Sequence, residues 1–124
     1  LALNKETNTE IESEFFLISQ NLIKRKQNKK FNLQIPASYA FGTGCHESTF
    51  LALKSLEYLF KKNSFKNILD MGTGTGILSF ATRLMTHSKL IAIDKEKNAE
   101  MCFFKNMKLN NLNNIFFSSH GFST

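Results

Sequence analysis

The chain has 124 residues, which is enough for one domain with a modest hydrophobic core. Hydrophobic residues make up 42% and charged residues 21%, a globular composition that excludes an intrinsically disordered chain. The net charge of +6 fits a solvated basic surface, and the alternative is contact with an acidic partner such as ribosomal RNA.

Cysteine usage and hydropathy narrow the protein class further. Cys45 and Cys102 lack the spacing of a metal or redox motif and predict reduced thiols in a cytoplasmic protein. The sequence contains no signal peptide and no run near the roughly 18 apolar residues of a membrane span. No cluster of metal-ligating residues is present, so no metal site is predicted.

Residues 1–30 are predicted to form an amphipathic helix followed by a basic linker. Thr9 to Glu12 fit a capping box, and apolar residues then recur at helical spacing as far as Leu22. Basic residues at positions 24–26 suit a helix C-terminus, so the helix is predicted over residues 10–26. Residues 31–124 are predicted to form the main domain.

The main domain begins with a short strand and a longer helix. Apolar and polar residues alternate from Phe31 to Ile35, which predicts a half-buried strand that Pro36 ends. After a loop over residues 37–45, apolar residues at helical spacing predict a helix from about His46 to Lys62. Its inner face is predicted to carry Phe50, Leu53, Leu56, Leu59 and Phe60.

A strand, a helix, a second strand, a second helix and a third strand are predicted after residue 66. They begin at Ile68, Ile77, Leu90, Lys95 and Ile115. The second strand is apolar throughout, which is typical of a parallel sheet covered on both faces. This order predicts an α/β, Rossmann-like fold with right-handed crossovers and strand order 3-2-1.

The most informative segment is the glycine turn Asp70-Met71-Gly72-Thr73-Gly74-Thr75-Gly76, between the first strand and its helix. Gly72 and Gly74 would admit a ligand close to the backbone, and Gly76 would let the helix start against the strand. An acid at position 70 would repel a pyrophosphate. It would tolerate a cationic ligand such as S-adenosylmethionine, which carries sulfonium and amino groups.

A second acid, Asp94, ends the second strand 22 residues beyond Gly72. An acid at the end of this strand binds the ribose hydroxyls in nucleotide-binding β-α-β units. The alternative for the glycine segment is a plain strand–helix turn with Asp70 as its cap.

A further segment, Ala40-Phe41-Gly42-Thr43-Gly44-Cys45-His46-Glu47-Ser48-Thr49, narrows the family. It resembles the AFGTGxHxTT segment of the PrmA family, bacterial lysine methyltransferases that act on the eleventh protein of the large ribosomal subunit. The segments DMGTGTGILSF and IAIDKEKNAE, together with Asn106 and Asn110, are also similar to that family. The resemblance covers about residues 31–118 and implies a cytoplasmic, S-adenosylmethionine-dependent class I methyltransferase.

The resemblance also implies roles for individual residues. Thr49 would contact the cofactor, Gly72 would line its amino-acid end, and Asp94 would bind its ribose. The loop that carries Thr43 would close over the site near the transferred methyl group. Helix capping is the alternative for both threonines. Asp70 and Gly74 complete the predicted cofactor site, and no catalytic residue is predicted.

The chain stops soon after the third predicted strand, where the family continues with a fourth. The resemblance therefore implies the N-terminal half of the catalytic domain, truncated to its first β-α-β-α-β half with preceding helices. Methyl transfer is expected of the parent protein rather than of this half alone. A free edge on the first strand predicts self-association.

Three alternatives to this function remain open from the sequence. The first is another class I methyltransferase, acting on protein glutamine or RNA. The second is an NAD-dependent oxidoreductase, because a glycine turn also opens dinucleotide-binding folds. The third is a non-catalytic basic module that binds ribosomal RNA.

Overall fold

The computed structural model describes residues 10–20, 29–36 and 46–120. Within these ranges it contains two three-stranded sheets and three helices. The first sheet comprises β1 (Glu10–Glu12), β2 (Phe16–Ser19) and β3 (Phe31–Gln34), and the second β4 (Asn67–Met71), β5 (Lys89–Ile93) and β6 (Phe116–Ser118). The helices are α1 (His46–Lys62), α2 (Ile77–Met85) and α3 (Ala99–Leu109). None of these helices combines the length and hydrophobicity needed to span a bilayer.

The second sheet is parallel, with the order β4-β5-β6. Helix α2 connects β4 to β5, and α3 connects β5 to β6, so the predicted α/β fold and strand order are confirmed. The bounds predicted for α1 and the first residue predicted for α2, Ile77, are also confirmed. Helix α3 begins four residues later than predicted, at Ala99 instead of Lys95. The Asp94 carboxylate accepts the Glu96 N–H at 2.9 Å, and this local turn competes with the helix.

The helix predicted over residues 10–26 is wrong for the residues that the structure describes. Strand β1 pairs antiparallel with β2, and β2 pairs parallel with β3. All four residues of β2 are buried, which a central strand covered on both faces allows and an amphipathic surface helix does not. This pairing joins strands on both sides of the boundary predicted at residue 30.

A buried glutamate of α1 holds the turn between β1 and β2. Glu57 is 3% exposed, and its Oε2 accepts the Ser13 hydroxyl at 2.7 Å and the Phe15 N–H at 2.8 Å. Sequence periodicity missed Glu57 because only apolar residues were assigned to the inner face of α1. Leu59, which was assigned to that face, is 41% exposed.

One hydrophobic cluster joins the two sheets and the helices. It includes Phe16, Leu33, Leu53, Phe80, Leu90 and Phe103. Asn110, just after α3, adds a polar link: its amide donates to the Gln34 carbonyl and accepts the Gln34 N–H, both at 2.8 Å. The first sheet is therefore joined to the β-α-β unit by polar bonds as well as by the apolar cluster.

Candidate functional site

The glycine turn lies at the carboxyl edge of the parallel sheet, between β4 and α2. Gly72, Gly74 and Gly76 have φ values of +70°, +56° and +92°. These lie in the left-handed region, where a side chain is disfavoured. Helix α2 begins at this turn, with Gly76 as its N-cap residue and no side-chain cap.

Two of these glycines serve different steric purposes. A Cβ at Gly76 would collide with the Phe80 ring and would lie 2.9 Å from the ring of Phe103. A Cβ at Gly72 would meet nothing within 4 Å. Gly76 is therefore required for packing of the core, whereas the backbone at Gly72 faces open space that a ligand can enter.

Backbone hydrogen bonds fasten the turn to the end of β5. The N–H groups of Gly72 and Thr73 donate to the Ile93 carbonyl at 2.7 and 3.0 Å. The N–H of Gly74 donates to Oδ2 of Asp94 at 2.7 Å. The structure thus brings together the glycine turn and the acid that the sequence placed beside it.

The Asp94 carboxylate retains hydrogen-bonding capacity after these contacts. Its Oδ2 accepts the Gly74 N–H, and its Oδ1 accepts the Glu96 N–H. An ionised carboxylate offers about four acceptor positions, so each oxygen has room for one more donor. The side chain is only partly buried.

Asp70 performs a structural task within the turn. Its Oδ2 accepts the Ser79 hydroxyl at 2.6 Å and the Thr73 hydroxyl at 2.7 Å. Both hydroxyl residues are buried, so Asp70 joins the end of β4 to the first turns of α2. These bonds run to side-chain hydroxyls and not to backbone N–H groups of the helix, so they are not the helix cap that the sequence left as an alternative. Neither bond uses Oδ1, which remains available to a ligand.

Two supporting residues were not identified as part of the site from the sequence. Ser79 is fully buried. The sequence could have indicated it as a partner of Asp70, because a serine lies on the inner face of the helix that follows this acid. Asn106 of α3 is 3% exposed and donates its amide N–H to the Thr75 carbonyl at 3.0 Å. It thus supports the turn from α3. The family resemblance includes this residue without giving it a role.

Thr49, one of the two predicted threonines, stands apart from this network. Thr49 lies in the first turn of α1 and is 9% exposed, and it takes no part in the bonds that join the turn to Asp70 and Asp94. Thr43 lies outside the described residues. Among the residues that are described, no group of three or more His, Cys, Asp or Glu could hold a metal ion.

Comparisons with known proteins agree on one family. The model of the family described as ribosomal protein L11 methyltransferase (PrmA) matches residues 8–122. A ribosomal protein L11 methyltransferase of Prochlorococcus marinus (strain MIT 9312) is 40% identical over 94 residues, which are 71% of this chain and 30% of that protein. The protein of the same name from Rhodopseudomonas palustris (strain BisB5) is 32% identical over 101 residues, 80% of this chain and 34% of its own length.

A solved structure shows the same fold. The crystal structure of ribosomal protein L11 methylase from Lactobacillus delbrueckii subsp. bulgaricus superimposes with a TM-score of 0.70 at 20% identity. The match covers 86% of this chain and 53% of that one. The chain spans about a third of the length of its curated relatives, as the sequence predicted for part of a longer family member.

Proposed function

This chain belongs to the ribosomal protein L11 methyltransferase (PrmA) family, and from that premise we propose that its glycine turn binds S-adenosylmethionine for methylation of a ribosomal protein. The observation that carries the proposal is the 2.7 Å contact between the Gly74 N–H and Asp94 beside the open backbone of Gly72. In this arrangement the Asp94 carboxylate is an acceptor for ribose hydroxyls, and the Gly72 backbone is a surface that a ligand can approach closely.

The residues at the turn suit the different parts of this cofactor. Asp94 would accept the ribose hydroxyls through the unused positions on its two oxygens. Gly72 would line the amino-acid end, and the half-buried Gly74 would contact the ligand through its backbone. The free Oδ1 of Asp70 is an acceptor for the positive amino group. Thr49 and Thr43 are proposed to complete the site from α1 and the segment before it.

Bound S-adenosylmethionine supplies an electrophilic methyl group on its sulfonium sulfur. The contribution of this chain is to orient that cofactor, because a correctly positioned donor and acceptor lower the entropic part of the barrier. A lysine acceptor must first lose its proton, against a reference pKa of about 10.4. No residue of this chain is assigned to that step, and the full activity is proposed for the longer protein.

Calorimetric titration with S-adenosylhomocysteine tests the binding proposal. The wild-type chain is expected to bind, and Asp94→Ala is expected to weaken binding at least about tenfold, because hydrogen bonds to a charged group are lost. The matched control is Glu100→Ala, which removes an exposed carboxylate of α3 and leaves the turn intact.

Three results would contradict the proposal. The first is a wild-type chain that does not bind S-adenosylhomocysteine. The second is an Asp94→Ala variant that binds as tightly as wild type, which would exclude the ribose assignment. The third is tighter binding of NADH than of S-adenosylhomocysteine, which would favour an oxidoreductase.

The partners follow from the same premise. The substrate is proposed to be ribosomal protein L11, the protein that the relatives' names specify, and such a substrate would place the enzyme in the cytoplasm. Self-association through β4 is proposed as well. Among the described strands β4 pairs only with β5, and its Leu69 and Met71 are 41% and 57% exposed. Light scattering that shows a monomer at all concentrations would contradict the self-association.

A further inference from the structure

A cleft of about 570 Å³ opens at the amino edge of the parallel sheet, away from the glycine turn. Its walls are the end of α2, the start of β5, the loop after α3 and the first residue of β6. Because the three strands are parallel, this edge lies at the opposite end of the sheet from Asp94. The polar and aromatic residues that line the cleft include Arg83, His87, Lys89, Asn111, Asn114 and Phe116.

Cations in the cleft have no acidic neighbour among the described residues. No described Asp or Glu lines it, and the two salt bridges in this part of the chain both use glutamates of the N-terminal sheet or its turn. The sequence carries no acid after Glu100, and Asp70, the only acid between residues 58 and 93, lies at the other edge. The cleft therefore presents positive charge that no carboxylate of its described lining neutralises.

Arg83 is a fixed part of the cleft wall. Its Nη1 donates to the Thr86 carbonyl at 3.1 Å, and its Nη2 donates to the carbonyls of Ser88 and Asn114, both at 2.8 Å. These bonds join the end of α2 to the loop before β6. The charge is consequently held in place before any ligand arrives, which lowers the entropic penalty of binding.

An exposed aromatic ring lines the same cleft as these cations. Phe116 is 64% exposed although it begins a strand, and Lys89, which also lines the cleft, is exposed as well. Asparagine side chains from the loop add hydrogen-bond donors and acceptors. Cations for phosphates, a ring on which a base can stack, and amides for base edges are the groups with which proteins bind single-stranded nucleic acid.

We infer that this cleft binds single-stranded RNA, with phosphates beside Arg83 and Lys89 and one base stacked on Phe116. RNA is favoured over a bare anion because the exposed ring has no use in holding a phosphate alone. It is favoured over an acidic peptide because a nucleobase provides a flat face for the ring. The cleft lies at the opposite edge from the glycine turn, so this site does not depend on cofactor binding.

Fluorescence anisotropy with a labelled single-stranded RNA of twelve mixed nucleotides tests the site. Wild type is expected to bind with an affinity that falls as salt rises. In a plot of the logarithm of the binding constant against the logarithm of the salt concentration, Lys89→Ala is expected to make the slope shallower by about 0.7. This is the value for one phosphate contact on a single strand. Phe116→Ala is expected to weaken binding at least about fivefold at unchanged slope, because stacking does not release counterions.

Matched controls come from the exposed surface of α1. Lys62→Ala and Tyr58→Ala remove the same kinds of group from a lysine–aromatic pair whose ammonium lies 4.7 Å from the ring centroid. Both are expected to bind RNA like wild type. Since Lys89 and Phe116 are exposed, their variants should keep the fold, which circular dichroism verifies.

Four outcomes would overturn the inference. One is a wild-type chain without RNA affinity, and another is equal weakening by the cleft and control variants. The third is inorganic phosphate that binds in a Lys89-dependent way while RNA does not, which would leave a simple anion site. The last is a glutamate-rich peptide that displaces RNA as well as unlabelled RNA does. Failure of S-adenosylhomocysteine to bind would contradict the proposed function without changing any of these results.

Discussion

Each edge of the parallel sheet binds a charged side chain through its backbone, but the charge and the backbone group differ between the two edges. At the carboxyl edge, Asp94 accepts the N–H groups of Gly74 and Glu96. At the amino edge, Arg83 donates to three backbone carbonyls. In this β-α-β unit a negative and a positive side chain therefore lie at opposite ends of the strands, and each is stabilised by backbone groups and not by a salt bridge to the other.

The direction of α2 explains this separation. Its first residues lie at the carboxyl edge, where a helix leaves N–H groups unpaired, and its last residues lie at the amino edge, where it leaves carbonyls unpaired. Arg83 occupies the last turn of α2 and binds the carbonyl of the C-cap residue Thr86, together with the carbonyls of Ser88 and Asn114 from neighbouring loops. The acidic side chain is therefore stabilised at the carboxyl edge and the basic side chain at the amino edge. Each edge then suits a ligand of the opposite charge, the cationic cofactor at the first and the anionic RNA at the second.

Gly76→Ala is expected to cause the largest change, because it disturbs the packing on which both edges depend. The left-handed backbone costs about 1–2 kcal/mol for a residue with a side chain, and forcing a methyl group against Phe80 and Phe103 costs about 1–3 kcal/mol more. Urea unfolding should show a loss of about 3 kcal/mol in the free energy of unfolding. Gly72→Ala, with similar φ and open space, should lose only about 1 kcal/mol. Equal losses in the two variants would show that packing at Gly76 does not matter.

Arg83→Ala is expected to have the next largest effect, confined to the amino edge. Three carbonyls lose a charged donor, so the free energy of unfolding should fall by about 2 kcal/mol. Arg83→Lys keeps the charge but cannot reach three acceptors with one ammonium, and should recover less than half of that loss. Full recovery by lysine would mean that charge alone, rather than the guanidinium geometry, stabilises this edge.

Asp70→Ala tests the carboxyl edge and should cost about 1.5 kcal/mol in the free energy of unfolding. The hydroxyls of Ser79 and Thr73 lose their shared acceptor, although they lie 3.3 Å apart and can partly pair with each other. A double-mutant cycle with Ser79→Ala measures the coupling, which should be at least about 0.5 kcal/mol. Additive losses would show that Asp70 does not act through Ser79.

Local sequence signals were sufficient to predict the helix and the strands around the glycine turn. The bounds of α2 follow from Gly76 and from apolar spacing, and the order of strands follows from general rules of chain connection. The contact between Asp94 and Gly74 spans 20 residues, yet it was predictable because the motif brings the two ends of adjacent strands together.

Tertiary contacts decided what the sequence could not show. The capping box and helical spacing near Glu12 were genuine local signals, but burial of β2 between β1 and β3 outweighed them. Glu57 fixes this arrangement from a position 44 residues beyond Ser13. Similarly, the partners of Ser79 and Asn106 depend on how their helices are rotated, which a pattern of apolar residues determines only approximately.

Asp94→Ala should produce the smallest change in stability and the clearest change in binding. The Gly74 and Glu96 N–H groups lose an acceptor but lie near solvent, so the loss without ligand should be under about 1 kcal/mol. S-adenosylhomocysteine at 100 times the wild-type Kd should stabilise wild type by about 2.7 kcal/mol, and a variant with tenfold weaker affinity by only about 1.4 kcal/mol. Asp70→Ala should show the converse. Without ligand its free energy of unfolding should fall by more than that of Asp94→Ala, and the ligand should still stabilise it by more. If the two variants behaved alike in urea unfolding with and without ligand, the division between a structural acid and a binding acid at this edge would be wrong.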